Sequence, residues 1–387
     1  MTRSTVDIVL QNNTGSSNAY AHLTGLDINK NNAVFLLQSD GVTGYYPSSP
    51  SGILQPLGAD CAISLGAPGS TRKLTIPQIA GGRIWFCRDG PLQFFLNPGP
   101  AVVEPSATNP SDKSYNLAWG FAEFTFNSFQ LFVNISYVDF ASIPVSLTLE
   151  NDSGTVTNVP GLPSNGLDQI CEKLIAQDAT DNAGWSKLIV RTADNTANLR
   201  VLSPNSGIVM QPTLFDGYYQ PYVDSVWQKY SSADLTVNTQ AEWGDVKGRV
   251  GSGNLLTFGN VGSFAQPASK DIFSCSTGPF GGYPSNQAEM GAIGARIAAA
   301  FNRSTLLIDD QQPEGEQVAN YYKDTRTNHY SRICHEVSTG GRGYAFPYDD
   351  VGPSNGADQS GSLFDSNPKI LMVGIGGGST SAAKEEL

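Results

Sequence analysis

Two carboxylates stand alone in one of the most apolar stretches of the chain. "WGFAEFTFNSFQLFVNISYVDF", residues 119–140, contains Glu123 and Asp139 and no Lys or Arg. An ionised carboxylate among apolar residues costs free energy unless it is paired, hydrogen-bonded or open to a cleft. If 119–127 is a strand, its side chains alternate between two faces. Gly120, Ala122, Phe124 and Phe126 then make a small, apolar face suited to a core. Trp119, Phe121, Glu123, Thr125 and Asn127 make the other, with rings to stack on a pyranose and polar groups for its hydroxyls. A solvated sheet face is the alternative, but such faces usually mix Lys with Glu, and this one has no cation. In the next strand Leu131, Val133, Ile135 and Tyr137 share a face, and strict alternation puts Asp139 with them. Asp139 reaches the polar side only if the strand bulges or ends just before it. Two carboxylates facing one groove is the layout for acid/base cleavage of a glycosidic bond.

Other candidate motifs carry less. "YAFPYDDV" (344–351) sets Asp349 and Asp350 beside aromatic residues. The pair is either ordinary turn chemistry before Val-Gly-Pro or a binder of sugar hydroxyls or a cation. "ILMVGIGGGST" (370–380) imitates a strand running into a dinucleotide loop, but the sixth position of the fingerprint is Ser379 and too little chain follows for a phosphate-binding helix. It reads as a Gly-rich strand end. His329 and His335 are off the i, i+4 spacing of a helical metal pair, and no GxSxG elbow supports a serine nucleophile. Neither a metal nor a cofactor is expected.

The elements that must position these residues change character along the chain. Residues 1 to about 150 alternate short β runs ("VDIVLQN", "AVFLLQS", "RKLTIP", "RIWFCRDG") with Gly, Pro, Asn and Ser, the pattern of a sandwich or barrel. From about 160 the period turns helical: "GLDQICEKLIAQDA" repeats apolar residues at Leu167, Ile170, Leu174 and Ile175, and "AEMGAIGARIAAAFN" is Ala-rich. A third helical pattern, "DGYYQPYVDSVWQKYSS", is interrupted by Pro221. "KLIVRTA" and "NLLTFGNV" read as strands between them, and strand and turn resume after about 340. The expected plan is α+β: an antiparallel β-sandwich or barrel domain from 1–160 and 336–387, with a mixed α/β domain, 161–335, inserted. The 340–380 segment is expected to pair back into the first domain.

Composition excludes several classes. The 387 residues carry a formal charge of -12, and a pI near 4.7 repels a phosphate backbone, so nucleic acid is not an expected partner. A neutral polysaccharide meets no such barrier. Apolar runs fall short of the roughly 20 residues of a membrane span, and "MTRSTVDIVLQNNTG" has no signal-peptide core, so a leader has been removed or never existed. Sequons at Asn12, Asn134, Asn151 and Asn302 are compatible with secretion, and an extracellular monomer is expected. The closing "KEEL" resembles a retrieval signal but has no signal peptide to give it meaning. Five cysteines leave at least one thiol unbridged: Cys171, on an apolar helix face, is the expected free one, and Cys275 with Cys334 the expected bridge.

"GRIWFCRDG", "FAEFTFN", "NISYVDFASIPVSL" and "YAFPYDDV" occur in that order. Together they resemble the thaumatin-like sandwich and, more closely, glycoside hydrolase family 64, the inverting endo-β-1,3-glucanases. The resemblance runs from the first strand to "LMVGIGG" and includes the insert with "AAFNRSTLL". It implies a wide groove between β domain and insert that takes up β-1,3-glucan. Within it, Glu123 matches the general acid and Asp139 the general base, sixteen residues apart. Thr125 and Asn127 match polar residues beside the acid, with Trp119 on the same face. Asp112, Asp349 and Asp350 match further groove carboxylates, and Arg83 of "GRIW" matches the basic residue of the acidic cleft. Glu123 is expected to hold its proton near Trp119 and Phe121, and Asp139 to be better hydrated and ionised. Asn134 stands where thaumatin-like chains often have Asp, which removes one cleft charge. A glucan-binding protein with the cleft but no turnover is the alternative.

Overall fold

The computed structural model describes residues 2–284 and 287–378; Ser379 and the closing "KEEL" lie outside them. Two sheets face each other in the β part. One runs Val156–Val159, Val145–Asn151, Pro368–Ile375, Thr5–Asn12, Thr71–Pro77. The other runs Ser362–Asp365, Leu131–Ile135, Ala118–Phe126, Ile79–Arg88, Ala19–Asp27, Ala33–Leu37, Gly44–Tyr45. Alternation in these strands turns Val6, Ile8, Leu10, Leu147, Leu371 and Val373 of the first sheet, and Ile84, Phe86, Ala122, Phe124 and Val133 of the second, into one continuous core. The arrangement is a sandwich. Both sheets are open, and no closed barrel forms among the described residues.

The Pro368–Ile375 strand lies parallel to Thr5–Asn12, with Val373 opposite Leu10, and antiparallel to Val145–Asn151, with Val373 opposite Leu147. The chain thus returns to the first sheet after its helical middle. This strand is buried on both sides, which is why it reads as a continuous apolar run. It ends in Gly376, Gly377 and Gly378, all at positive φ. There an added Cβ on Gly376 would stand 2.4 Å from the Asn13 carbonyl carbon.

The middle of the chain contains the helices Gly166–Asp181, Gln220–Tyr230, Ala288–Arg303 and His329–Val337. Two further sheets join them: Phe140–Ala141 with Asn198–Leu202 and Ile189–Arg191, and a five-stranded sheet around Leu235–Asn238. Pro221 does not interrupt its helix. It falls in the first turn, where no intrahelical N–H is needed. On Gly166–Asp181 the buried stripe is Ile170, Cys171 and Leu174, whereas Ile175, expected among them, is 43% exposed.

All five cysteines are free and buried. Cys171 is unbridged as expected, but the bridge between Cys275 and Cys334 does not form. Cys275 caps the helix Ser269–Ser274 in left-handed backbone, and its thiol donates to the Ile272 and Pro347 carbonyls at 3.3 and 3.4 Å. Cys334 lies within the His329–Val337 helix. Burial pushes both thiols well above the ordinary thiol range, so they behave as inert core groups.

Candidate active site

The site is a row across the second sheet. Strand register aligns Thr24, Arg83, Glu123, Asn134 and Ser362 side by side, and alternation puts all five on the face away from the core. Two glycines shape the approach. Gly81 adopts φ +55°, and the pairing slips there, so that Phe124 opposes Gly82 but Phe126 opposes Ile79. A Cβ on Gly82 would stand 2.4 Å from the Phe124 ring. Arg83 follows directly from this tight crossing.

Toward Arg88 and Ala118 the same face is roofed. Trp85, Phe121, Trp119 and Phe140 pack ring to ring, with Trp85–Phe121 and Trp119–Phe140 centroids at 5.1 and 4.7 Å. Arg200, from the strand Asn198–Leu202, is buried over this cluster. It donates to the Tyr115 and Leu117 carbonyls at 2.6 and 2.9 Å and lies 5.6 Å from the Trp119 ring centroid. Trp119, expected to line the groove, is therefore interior at 1% exposure. It shares a face with Glu123, but the roof covers it. Toward Thr125 the face is open, forming a cleft of about 390 Å³ lined by Arg83, Glu104, Glu123, Thr125, Phe132 and Asn134 among others.

Three charges line this cleft, and a fourth, Asp139, stands within electrostatic reach of them. Arg83 donates to Glu104 at 2.7 Å and, less closely, to Glu123 at 3.3 and 3.4 Å, while its guanidinium lies 4.7 Å from the Phe121 ring centroid. Asp139 stands beyond the end of the Leu131–Ile135 strand, so the strict alternation that would have buried it does not apply. The next residues pair with the middle of the chain instead: Phe140 opposes Leu202, and the Ser203 N–H donates to the Asp139 carbonyl at 2.9 Å. Asp139 is exposed by surface area, yet protein crowds its carboxyl. This desolvation pushes its pKa up; Arg83 partly offsets the rise and the Glu123 charge adds to it. Burial likewise raises Glu104, against the pull of Arg83 and with repulsion from Glu123 and Asp139. The expectation of a well-hydrated Asp139 thus holds for its exposed surface but not for its crowded carboxyl, which desolvation raises as it does Glu104.

Other expected site residues do different work. The Asn127 carboxamide accepts from the Phe129 and Gln130 N–H groups at 2.8 and 3.0 Å, closing the hairpin. Asp112 accepts from the Ser114 N–H at 2.8 Å and contributes charge near Arg200. Asp349 is wholly buried, paired with Arg303 at 3.1 Å and His335 at 2.9 Å, so it is a core ion rather than a groove carboxylate. Asp350 is exposed and accepts from the Tyr344 hydroxyl at 2.7 Å. Thr125, Arg83 and Glu123 do line the cleft. Glu104, in "AVVEPS", is the residue that sequence reasoning missed. It follows the short strand Ala101–Val103, and only its partner Arg83, twenty-one positions away, marks it. Among the described residues no three His, Cys, Asp or Glu gather to hold a metal.

A sandwich whose open face clusters carboxylates has the layout of acid/base glycoside hydrolases. The chain belongs to glycoside hydrolase family 64, whose model, described as beta-1,3-glucanase, matches residues 4–375. Two curated relatives named glucan endo-1,3-beta-glucosidase, from Arthrobacter sp. (strain YCWD3) and Cellulosimicrobium cellulans, are each 26% identical over 384 residues. The match takes in 95% of this chain, which spans 64% of the length of those relatives. The crystal structure of a laminaripentaose-producing beta-1,3-glucanase in complex with laminaritetraose is 28% identical, with TM-score 0.82 over 96% of this chain and 99% of that one. A beta-1,3-glucanase domain from Clostridium beijerinckii, 20% identical with TM-score 0.73 over 96% and 98% of the two chains, has the same fold.

Proposed function

We propose that the chain is an endo-acting β-1,3-glucanase that releases short oligosaccharides from linear β-1,3-glucan by one inverting displacement. The observation that carries this is that Asp139, just past the end of the strand beside Glu123, stands within electrostatic reach of Glu123, Arg83 and Glu104 at the open cleft, in a member of this family. Glu123 is the general acid, protonating the departing glycosidic oxygen. Asp139 is the general base, taking a proton from the attacking water. The desolvation of Asp139 helps that role, because a carboxylate of raised pKa is a stronger base for as long as it remains ionised at the working pH. Arg83 offers its closest contact to Glu104 rather than Glu123, which leaves the Glu123 carboxyl the less tightly held of the two and free to meet a sugar oxygen.

We assign the inserted 161–335 segment to the second wall of the groove; its Ser203 N–H holds the Asp139 backbone at the edge of the site. Because an insoluble polymer cannot enter a cell, we place the activity outside it. Incubation with linear β-1,3-glucan should yield soluble oligosaccharides, with cellulose and xylan untouched. NMR should show the α-anomer first, since a single displacement inverts a β-linkage. Glucan binding without soluble product defeats the enzyme reading, and β-anomer first defeats the inverting one.

A further inference from the structure

Asp139 sits on a short irregular link, 136–139, between the strand Leu131–Ile135 and the pair Phe140–Ala141. Outside a regular ladder, the place of such a link depends on individual hydrogen bonds. Two of them run between backbone groups: the Tyr137 N–H donates to the Tyr344 carbonyl at 2.7 Å, and the Ser203 N–H to the Asp139 carbonyl at 2.9 Å. Another comes from a side chain. The Tyr330 hydroxyl donates to the Tyr137 carbonyl at 2.7 Å, from 193 positions away in the chain.

Tyr330 is wholly buried, and the helix His329–Val337 that carries it is fixed in its turn. Asn328 caps that helix by accepting from the Ser331 N–H at 3.1 Å, and its carboxamide donates at 2.8 Å to Asn302 of the helix Ala288–Arg303. The hydroxyl thus meets the link from a rigid support. The Asp139 charge is within electrostatic reach of this hydroxyl, as it is of Arg83, Glu123 and Glu104. The two carboxyls are therefore held by different parts of the molecule. Glu123 is fixed by the Ala118–Phe126 strand and by Arg83, Asp139 by Ser203 and Tyr330 of the 161–335 segment. An inverting displacement needs a separation of roughly 6.5–9.5 Å to seat its water, so whatever sets the link sets the reaction geometry.

We propose that Tyr330 is a positioning residue for the proton-accepting carboxylate: its hydroxyl, bonded to the Tyr137 carbonyl, holds link 136–139 where Asp139 meets the attacking water. This rests on the reading of Asp139 as the general base. Loss of the bond frees the link to swing outward, which hydrates the Asp139 carboxyl and takes it off the line of the water.

The test compares Tyr330→Phe with Tyr230→Phe. Tyr230 is a matched control in the same segment: it is buried and donates at 2.7 Å to the Leu306 carbonyl, not to a residue of the site. Each variant keeps its ring, so both should fold, with lowered Tm. On linear β-1,3-glucan, well below melting, kcat should fall in Tyr330→Phe alone, by roughly 10- to 10²-fold, the upper value being the cost of a ~1 Å misplacement, with KM little changed. The acid limb of its kcat/KM–pH profile should move down toward the ordinary carboxylate range, because a hydrated carboxyl ionises more readily. In Tyr230→Phe the limb should stay. Added to Asp139→Asn, Tyr330→Phe should cost little more, since the carboxylate it positions is already gone. Parental kcat and acid limb in Tyr330→Phe overturn the proposal and leave Tyr330 a packing residue, as does an equal fall in the Asp139→Asn background. 4-Aminophenylalanine at position 330 keeps a weaker donor and should lie between the parent and Tyr330→Phe. It decides the matter if Tyr330→Phe does not fold, parental kcat and acid limb then overturning the proposal. An Asp139→Asn enzyme as active as the parent defeats the base reading, whereas an impaired one beside a parental Tyr330→Phe defeats only the positioning role.

Discussion

In the roles proposed for them, Glu123 and Asp139 differ in what each proton transfer does, and this makes the assignment testable. Glu123→Gln removes the donor, so cleavage of a sugar leaving group should slow by about 10²–10⁴-fold, while a glucanosyl fluoride, which needs no protonation to leave, should lose far less. Asp139→Asn keeps the donor but leaves water unactivated, so both substrates should suffer. The reverse pattern in steady-state rates shows the two roles to be exchanged. Asp139 carries a second consequence. Its folded pKa is raised, so its ionised form opposes folding: stability is fullest below the ordinary carboxylate range and declines as pH rises through the folded pKa. Asp139→Asn should therefore raise Tm at pH 7, with the gain vanishing near pH 3, where the wild-type carboxyl is protonated in both states. A Tm difference that is the same at both pH values contradicts the desolvation that the cleft imposes.

At the scale of elements, the site depends on how closely two strands approach. Gly82 lies beneath the Phe124 ring, and Phe124 is buried in the core, so the ring has little room to move away. Gly82→Ala should destabilise the protein by about 1–3 kcal/mol, the usual range for overpacking a core. Activity measured well below the melting temperature should fall as well, because Arg83 is the next residue and pairs with both Glu104 and Glu123. Thermal melts and glucan assays of the variant check the two effects separately, and a variant with normal activity and lowered Tm would confine Gly82 to packing. The strand 118–126 itself was legible from alternation. The hairpin role of Asn127 and the turn role of Asp112 were not, because an Asn or Asp that closes a turn and one that binds a hydroxyl present the same residue type in the same polar context.

Across the whole molecule, a buried ionic cluster locks the chain after residue 300. Arg303 pairs with Glu316 at 3.5 Å and Asp349 at 3.1 Å, and His335 with Asp349 at 2.9 Å. Burial works against a charged His335, but the Asp349 carboxylate overcomes it and holds the imidazole pKa above its ordinary value. A raised histidine contributes stability that is complete below its unfolded pKa, about 6.5, and is lost as pH rises through the folded value. The wild type should therefore lose Tm as pH rises above about 6.5, and His335→Gln should be less stable at pH 6 while narrowing that slope. Parallel Tm–pH curves for the two proteins rule the pair out as the source.

The sequence by itself determined the strands, the helices and the isolation of Glu123 and Asp139, because these rest on period and composition, which are local. Alternation puts Glu123 and Thr125 on one face whatever the rest of the chain does, and helical spacing marks Gly166–Asp181 and Ala288–Arg303. Only the tertiary structure decided which part of that face stays open. Trp119 and Glu123 are equivalent by alternation, yet Arg200 and Phe140 roof one and not the other. It also brought in Glu104, removed Asp349 to the core and left Cys275 and Cys334 unjoined. Each of these depends on contacts between residues far apart in the chain, and burial, pairing and desolvation are properties of a place in the fold, not of a residue's neighbours in sequence.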